Sequence, residues 1–459
     1  MRHLLNQLPF AEKTLALGPS ECVRQQGEPG YDAWRRQACW NEREVSRRPD
    51  YIVRARSIDD VVAAIQACRE QGLVLALRSG GHSFANAFIR QHGVLLDLSA
   101  LRTLVVDPDC QRATIGPGVT SRDLSCALAS HGLGFATGHS GSVGLGGFLL
   151  GGGLGINFAN WGPMSAFHVR SLEVVTADGV LRHASAEENP DLFWAARGGG
   201  PMLFFAAVSF ELECHALPAV ITVRSLRLPL MKLANVLRWV EVAAPNPRLQ
   251  VMLAVIPCEN NASQKTPSQE LALTTVAFAE NEKIAHSLHA SVIDRLLPWA
   301  LGPASEEQAT DFAALHDHGD ATFGVGRYLA DNILTDQPER AAEILLAHLP
   351  MLPSPATLPL FIWRGSPYLP DAAFSARGHW YFSTYARWRD ASEDDVNQQW
   401  IRSLYDDLQP VATHSYINEF DLEYRSREVS RCFSNAGWQR LRELKRRHDP
   451  AGVFHDFAS

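Results

Sequence analysis

The sequence predicts an α+β protein built from more than one packed unit. Three observations lead there. At 459 residues the chain is about three times a typical domain of ~150 residues. Its first half reads as a helix, three strands and a helix, then a hairpin, a helix and a strand. From about Pro218 the texture changes to proline-punctuated segments containing Trp and Arg but few glycines.

The elements follow from local chemistry. Ser57 is a helix N-cap with Asp59 and Asp60 in the first turn, and Val61, Val62, Ile65 and Cys68 recur at helical spacing until Gly72. Leu73 to Leu77 is a short apolar strand ending in a polar glycine turn. Further strands are expected at Val94 to Leu98 and Arg112 to Gly116, then a helix at about Arg122 to Ser130 that Gly132 terminates. Leu172 to Ala177 and Val180 to Ala184 flank Asp178-Gly179, a pair favoured in two-residue hairpins. Asn189-Pro190-Asp191 opens a helix, because Pro suits the first helical turn. Val208 to Glu213 is another strand, and an amphipathic helix from Trp438 stops near Asp449-Pro450.

Composition narrows the function. There are 50 acidic and 42 basic residues, a net charge near −8, which argues against nucleic acid or an anionic membrane surface as partner. Met1 to Lys13 is too polar and broken for a secretory core, so a cytoplasmic location is expected. The eight cysteines are never closer than 16 positions, so no C-x-x-C redox or zinc unit is expected, and no metal site. Only five lysines accompany 37 arginines, a skew compatible with a high-GC bacterial genome.

One window departs from this composition. The 46 residues between Asp123 and Arg170 contain no Asp, Glu, Lys or Arg, where about nine would be usual. Interspersed Gly, Ser, Asn and His exclude a membrane span. No dinucleotide G-x-G-x-x-G, phosphate loop, G-x-S-x-G elbow or H-E-x-x-H is present in register. What remains is two glycine segments, Ser79 to Ser83 and Gly138 to Gly155, the second with nine glycines in 18 residues. Their backbone N–H groups could cradle an anion, and a long diphosphate cofactor laid between them would explain both.

Arg78-Ser79-Gly80-Gly81-His82-Ser83, Thr137-Gly138-His139 through Val143-Gly144-Leu145-Gly146-Gly147, and Leu150 to Gly155 resemble the FAD-binding domain of the vanillyl-alcohol oxidase and berberine-bridge-enzyme-like flavoproteins. Glu173 to Gly179, Asn189 to Gly200, Tyr416-Ile417-Asn418 and Leu441 to Phe454 continue the match in family order. The resemblance implies a two-part FAD-binding domain with mixed sheets, plus a substrate domain with an antiparallel sheet covered by helices. The expected boundaries are 1–217 for the FAD-binding domain, 218–405 for the substrate domain, and 406–459 for a segment returning to the first.

The same resemblance assigns FAD as cofactor, bound covalently through His82. Ser140 stands where many relatives have a second, cysteine anchor, which points to a single-covalent, bacterial branch. Arg78, Ser79, Gly80, Gly81, His82, Ser83, Gly138, His139, Ser142, Val143, Gly144, Gly147, Leu149, Gly152, Gly153, Val208, Tyr416 and Asn418 become the cofactor-binding candidates. Leu149 is expected beside the oxygen-reactive carbon, favouring slow reaction with dioxygen. Pro201 to Phe205 replaces the usual G-N-F-G with apolar bulk near the flavin edge.

The implied activity is transfer of a hydride from a small alcohol, amine or cyclic secondary metabolite to flavin N5, with dioxygen or another acceptor taking the electrons. Alternatives are a flavin-dependent cyclisation, aromatisation or rearrangement, and a non-catalytic binding protein retaining the fold. Such oxidations usually need a base for the adjacent O–H or N–H. Tyr416 is the first candidate, Tyr381 and His379 the second. A phenol acting as base near neutral pH requires a nearby cation, for which Arg364, Arg377 and Arg387 are candidates.

Overall fold

The computed structural model describes residues 20–258 and 268–457; the stretch Met1 to Lys13 lies outside them. The first sheet joins β1 (Val23–Gln25), β2 (Tyr51–Arg54), β3 (Leu75–Arg78) and β4 (Val94–Asp97) in the order β1-β2-β4-β3. It is mixed: β4 runs parallel to β2 and β3, while β1 is antiparallel to β2. Between β2 and β3 lies the helix Ile58–Gln71, closed by Ser57 and Asp60 in a reciprocal capping box and ended by Gly72 at φ 66°. Such a cap is worth about 1 kcal/mol.

The second sheet contains β5 (Leu104–Asp107), β6 (Arg112–Ile115), β8 (Val169–Thr176), β9 (Leu181–Ser185) and β10 (Phe205–Glu213), in the order β5-β6-β10-β8-β9 and wholly antiparallel. The short β7 (Leu133–Gly134) pairs with β11 (His215–Ala216). As expected, Asp178-Gly179 turns β8 into β9, with Gly179 at φ 74°. The C-terminal helix Asn435–His448 returns to this region, burying Leu441 and Leu444 in one cluster with Phe204, Phe205 and Phe210. Phe454 then bridges to Leu75 of the first sheet.

The third sheet is antiparallel: β12 (Val220–Pro229), β13 (Leu249–Pro257), β14 (Gln269–Ala279), β15 (Gln308–Ala309), β16 (Arg327–Thr335), β17 (Leu358–Trp363) and β18 (Trp380–Trp388), in the order β15-β12-β14-β13-β17-β18-β16. Helices Leu233–Ala243, Glu282–Leu296, Pro338–His348 and Asp394–Leu408 cover one face. The period of two along each strand divides its side chains between helices and chamber. Leu249, Val251, Leu253 and Val255 of β13 pack under the helices. Gln250, Met252, Ala254 and Ile256 of the same strand face a cavity of about 930 Å³ between this sheet and the glycine loops. The expected α+β fold with mixed and antiparallel sheets is what the chain adopts.

Candidate active site

The glycine turn after β3 and the segment before helix Leu145–Leu150 form one end of the cavity. They meet backbone to backbone, since a Cβ on Gly80 would lie 2.5 Å from Gly144 N. Only glycine permits that approach. Ser79 Oγ accepts from Gly147 N–H at 3.2 Å, tying the segments together. The amides of Gly80 to Ser83 donate to no other group among the described residues. They form a set of donors without protein acceptors, of the kind that receives a diphosphate. Arg78 also lines the cavity, but its guanidinium is committed to Asp97 at 2.8 Å and Ala38 O at 2.9 Å.

His82 stacks on Trp40, centroids 4.9 Å apart and planes at 20°. Burial depresses its pKa to about 4, partly opposed by Asp320. The ring is therefore neutral at physiological pH, with a nitrogen lone pair available for bonding. Ser140 donates to Asp320, and Ser142 Oγ is 3.0 Å from Ser140 Oγ. His139 is also on the wall, its Nε2 2.9 Å from Gln250 Nε2, and burial holds it neutral with a pKa of about 4.

Tyr416, Asn418 and Glu419 come from the turn that includes Ile417–Glu419, fixed to β16 where Asn332 bonds both the N–H and the C=O of Tyr416, at 2.6 and 2.9 Å. The Tyr416 hydroxyl accepts from Gly153 N–H at 3.1 Å, Leu154 N–H at 3.3 Å and Asn418 Nδ2 at 2.9 Å. Burial, then the nearby Glu419, raise its pKa above the ordinary phenol value. Across the cavity wall, Tyr381 and Tyr385 of β18 donate to Glu419 Oε2, Tyr385 at 2.7 Å, with Ser383 Oγ at 3.0 Å. Of the three arginines considered as a cation near these phenols, Arg364 is buried and interacts electrostatically with Tyr381 and Tyr416. Arg377 is exposed, and Arg387 caps Thr322 O and Val325 O.

Most of the expected residues are gathered on this one wall: Arg78 to Ser83, Gly138, His139, Val143, Gly144, Gly147, Tyr381, Tyr416 and Asn418. Six are not. Leu149 is 1% exposed and packs in the core, because a helix of period 3.6 places Leu145 and Leu149 on one side and Gly146, Gly147 and Leu150 on the cavity side. Val208 is buried in one core cluster with Val53 and Val61 and does not line the cavity. Gly153 acts at one remove, through its hydrogen bond to Tyr416, and Gly152, at φ 116°, shapes the same bend against Met164 and Phe374. Ser142 is exposed, and its backbone hydrogen-bonds His82. His379 precedes β18 and lies 3.2 Å from Glu241 and 3.7 Å from Asp336, away from the tyrosines. In the replaced segment Pro201, Leu203 and Phe205 face the cavity while Met202 and Phe204 enter the core.

A glycine-built anion cradle opening into an apolar chamber with phenols on its wall defines a cofactor-dependent oxidoreductase. Residues 49–185 match the FAD binding domain family. The chain is 30% identical over 390 residues to the FAD-linked oxidoreductase janO of Penicillium janthinellum, covering 82% of this chain and 84% of that protein. It is 35% identical over 179 residues to (R)-6-hydroxynicotine oxidase of Paenarthrobacter nicotinovorans, 39% of this chain and 38% of that one. Its fold superposes on 6-hydroxy-D-nicotine oxidase from Arthrobacter nicotinovorans with a TM-score of 0.80 at 22% identity, covering 99% of each chain. The chain belongs to the FAD-linked oxidoreductases, and the binding-protein alternative is set aside. The relatives are both fungal and bacterial, so the comparisons do not single out a bacterial branch. Among the described residues no helix is long and apolar enough to cross a membrane, and no group of His, Cys, Asp and Glu is placed to hold a metal.

The residues present fit FAD. Free amides at Gly80 to Ser83 suit its diphosphate, and the wall of Gly146, Gly147, Phe148 and Leu150 suits a flat ring.

Proposed function

We propose that the protein holds FAD covalently through His82 alone and oxidises a small alcohol, amine or cyclic metabolite, passing electrons on to dioxygen or another acceptor. The observation that carries this reading is continuity: one cavity joins His82 and its amide cradle to Tyr381, Tyr385, Tyr416 and Asn418. Bound FAD supplies a two-electron acceptor for a hydride at N5. His82 suits the anchor role because it is neutral and rigidly stacked, and Ser140 offers no sulfur for a second bond. In this reading residues 1–217 and 406–459 bind the cofactor, and residues 218–405 supply the substrate floor. Tyr416, with its hydroxyl held by three donors, forms a fixed boundary between the two.

Acid precipitation tests the anchor. The parent pellet is expected to stay yellow and the His82→Ala pellet to be colourless. A yellow supernatant from the parent would sink the covalent bond while leaving the family untouched.

A further inference from the structure

Glu419 is the one carboxyl on the cavity wall among the described residues. Tyr381, Ser383 and Tyr385 sit at alternate positions of β18, so all three hydroxyls project from one face and converge on a single oxygen, Oε2. Oε1 receives no donor among the described residues and is not sealed off, so it is open to the cavity. The other phenols cannot do what this oxygen can. Tyr416 already accepts three hydrogen bonds, and Tyr381 and Tyr385 spend their protons on Glu419.

From this arrangement, and resting on the oxidation proposed above, we infer that Glu419 is the catalytic base: its Oε1 takes the proton from the O–H or N–H next to the carbon being oxidised. The substrate O–H or N–H bond breaks, its electron pair stays on the substrate heteroatom, and the carboxylate becomes a carboxylic acid. Tyr381, Ser383 and Tyr385 are positioning residues that fix the carboxylate by Oε2 and leave Oε1 facing the substrate. The chamber also selects the substrate's character. Met252, Ile256, Val276, Leu360 and Ile362 give it a mainly apolar floor, on which Ser225, Arg227 and Thr274 also stand, so the molecule is a largely apolar skeleton carrying one hydroxyl or amine.

Burial raises the Glu419 pKa, and the three hydroxyl donors only partly oppose this. Facing it are the phenols of Tyr381, Tyr385 and Tyr416, and among the described residues no cation pairs with it. A carboxyl titrating above its usual range is better matched to receiving a proton near neutral pH.

The test uses the flavin-loaded protein and 4-nitrophenol as a neutral O–H probe. Glu419→Gln, nearly the same shape, is expected to bind the probe about ten-fold more weakly at a pH above the carboxyl midpoint read by infrared, because a hydrogen bond to a charged acceptor is lost. Infrared difference spectra of the parent should show a protonated-carboxyl band that titrates above the ordinary glutamate range, shifts on adding the probe, and is missing in Glu419→Gln. Tyr385→Phe, by deleting one donor to the ionised form, should move that midpoint upward, which a purely packing role would not do. Equal probe affinity in parent and Glu419→Gln overturns the inference. So does a carboxyl band that ignores the probe, a measurement that needs no variant to fold. The pellet test reads flavin attachment separately, so loss of the base and loss of the cofactor reading cannot be confused.

Discussion

The Tyr416 hydroxyl is expected to hold the chain together as well as to line the cavity, and Tyr416→Phe measures how much. The ring stays: its edge contacts with Phe374 and Tyr381, centroids 6.3 and 6.0 Å away, need no oxygen. What disappears is the acceptor for Gly153 N–H, Leu154 N–H and Asn418 Nδ2. Asn418 keeps its second partner, Phe148 O at 3.1 Å, so its loss is small. The two backbone amides belong to buried residues and make no other hydrogen bond among the described residues. An unsatisfied buried donor costs about 1–3 kcal/mol, so the pair costs about 2–6 kcal/mol. Urea unfolding of parent and variant, followed by tryptophan fluorescence, reads this directly, with the first transition moving to lower urea. Were the variant within about 0.5 kcal/mol of the parent while losing turnover, the structural reasoning would be refuted and the hydroxyl would be a purely chemical group.

Gly80→Ala should abolish flavin retention with the far-ultraviolet spectrum unchanged, because its Cβ meets backbone that cannot yield; Gly302→Ala, with nothing within 4 Å, should be silent. Arg425→Met should destabilise by about 3–5 kcal/mol, since it strands Asp331, 2.8 Å away and equally buried, and adding Asp331→Asn should recover most of the loss. Acid should weaken the fold early. His289 and His316 are fully buried with pKa values lowered to about 4, chiefly by burial, so the unfolded chain binds more protons than the folded one below about pH 6.5. Their contribution is complete above that pH and is lost as the pH falls through about 4, at up to about 1.4 kcal/mol per pH unit for each. A urea midpoint that is flat between pH 7 and 5 would contradict this.

The parts of the site legible in the sequence are those where the backbone itself does the work. Gly80 and Gly144 are required by a contact no side chain can enter, so glycine spacing reports the contact. Capping works the same way, as at Ser57 and Asp60, because its partners are three residues apart. Glu419 escaped notice because its partners lie 34 to 38 positions away and only the β18 register aims them at it. The alternation Tyr381, Ser383, Tyr385 was readable as one strand face, but the same period of two includes His379, and only the structure shows that the strand begins after it, at Trp380. The core position of Leu149 is legible too: Leu145 and Leu149 are an i, i+4 pair, so both face the core if either does.

The long silence of residues 220–390 has a physical cause. Strands β13, β14 and β17 are apolar toward the helices and apolar again toward the chamber, as Val251 and Met252 or Phe361 and Leu360 illustrate. A strand buried on both faces loses the polar–apolar alternation by which strands are recognised, and reads as an undivided hydrophobic run. The information then resides in the few polar exceptions on the chamber side. Gln250 engages His139, and Tyr381 and Tyr385 fix Glu419. On the proposed reading these polar residues place the reacting group and the mainly apolar floor sets which skeleton fits, so exchanging Met252 or Leu360 should change probe affinity while the Glu419 carboxyl band still responds to the probe.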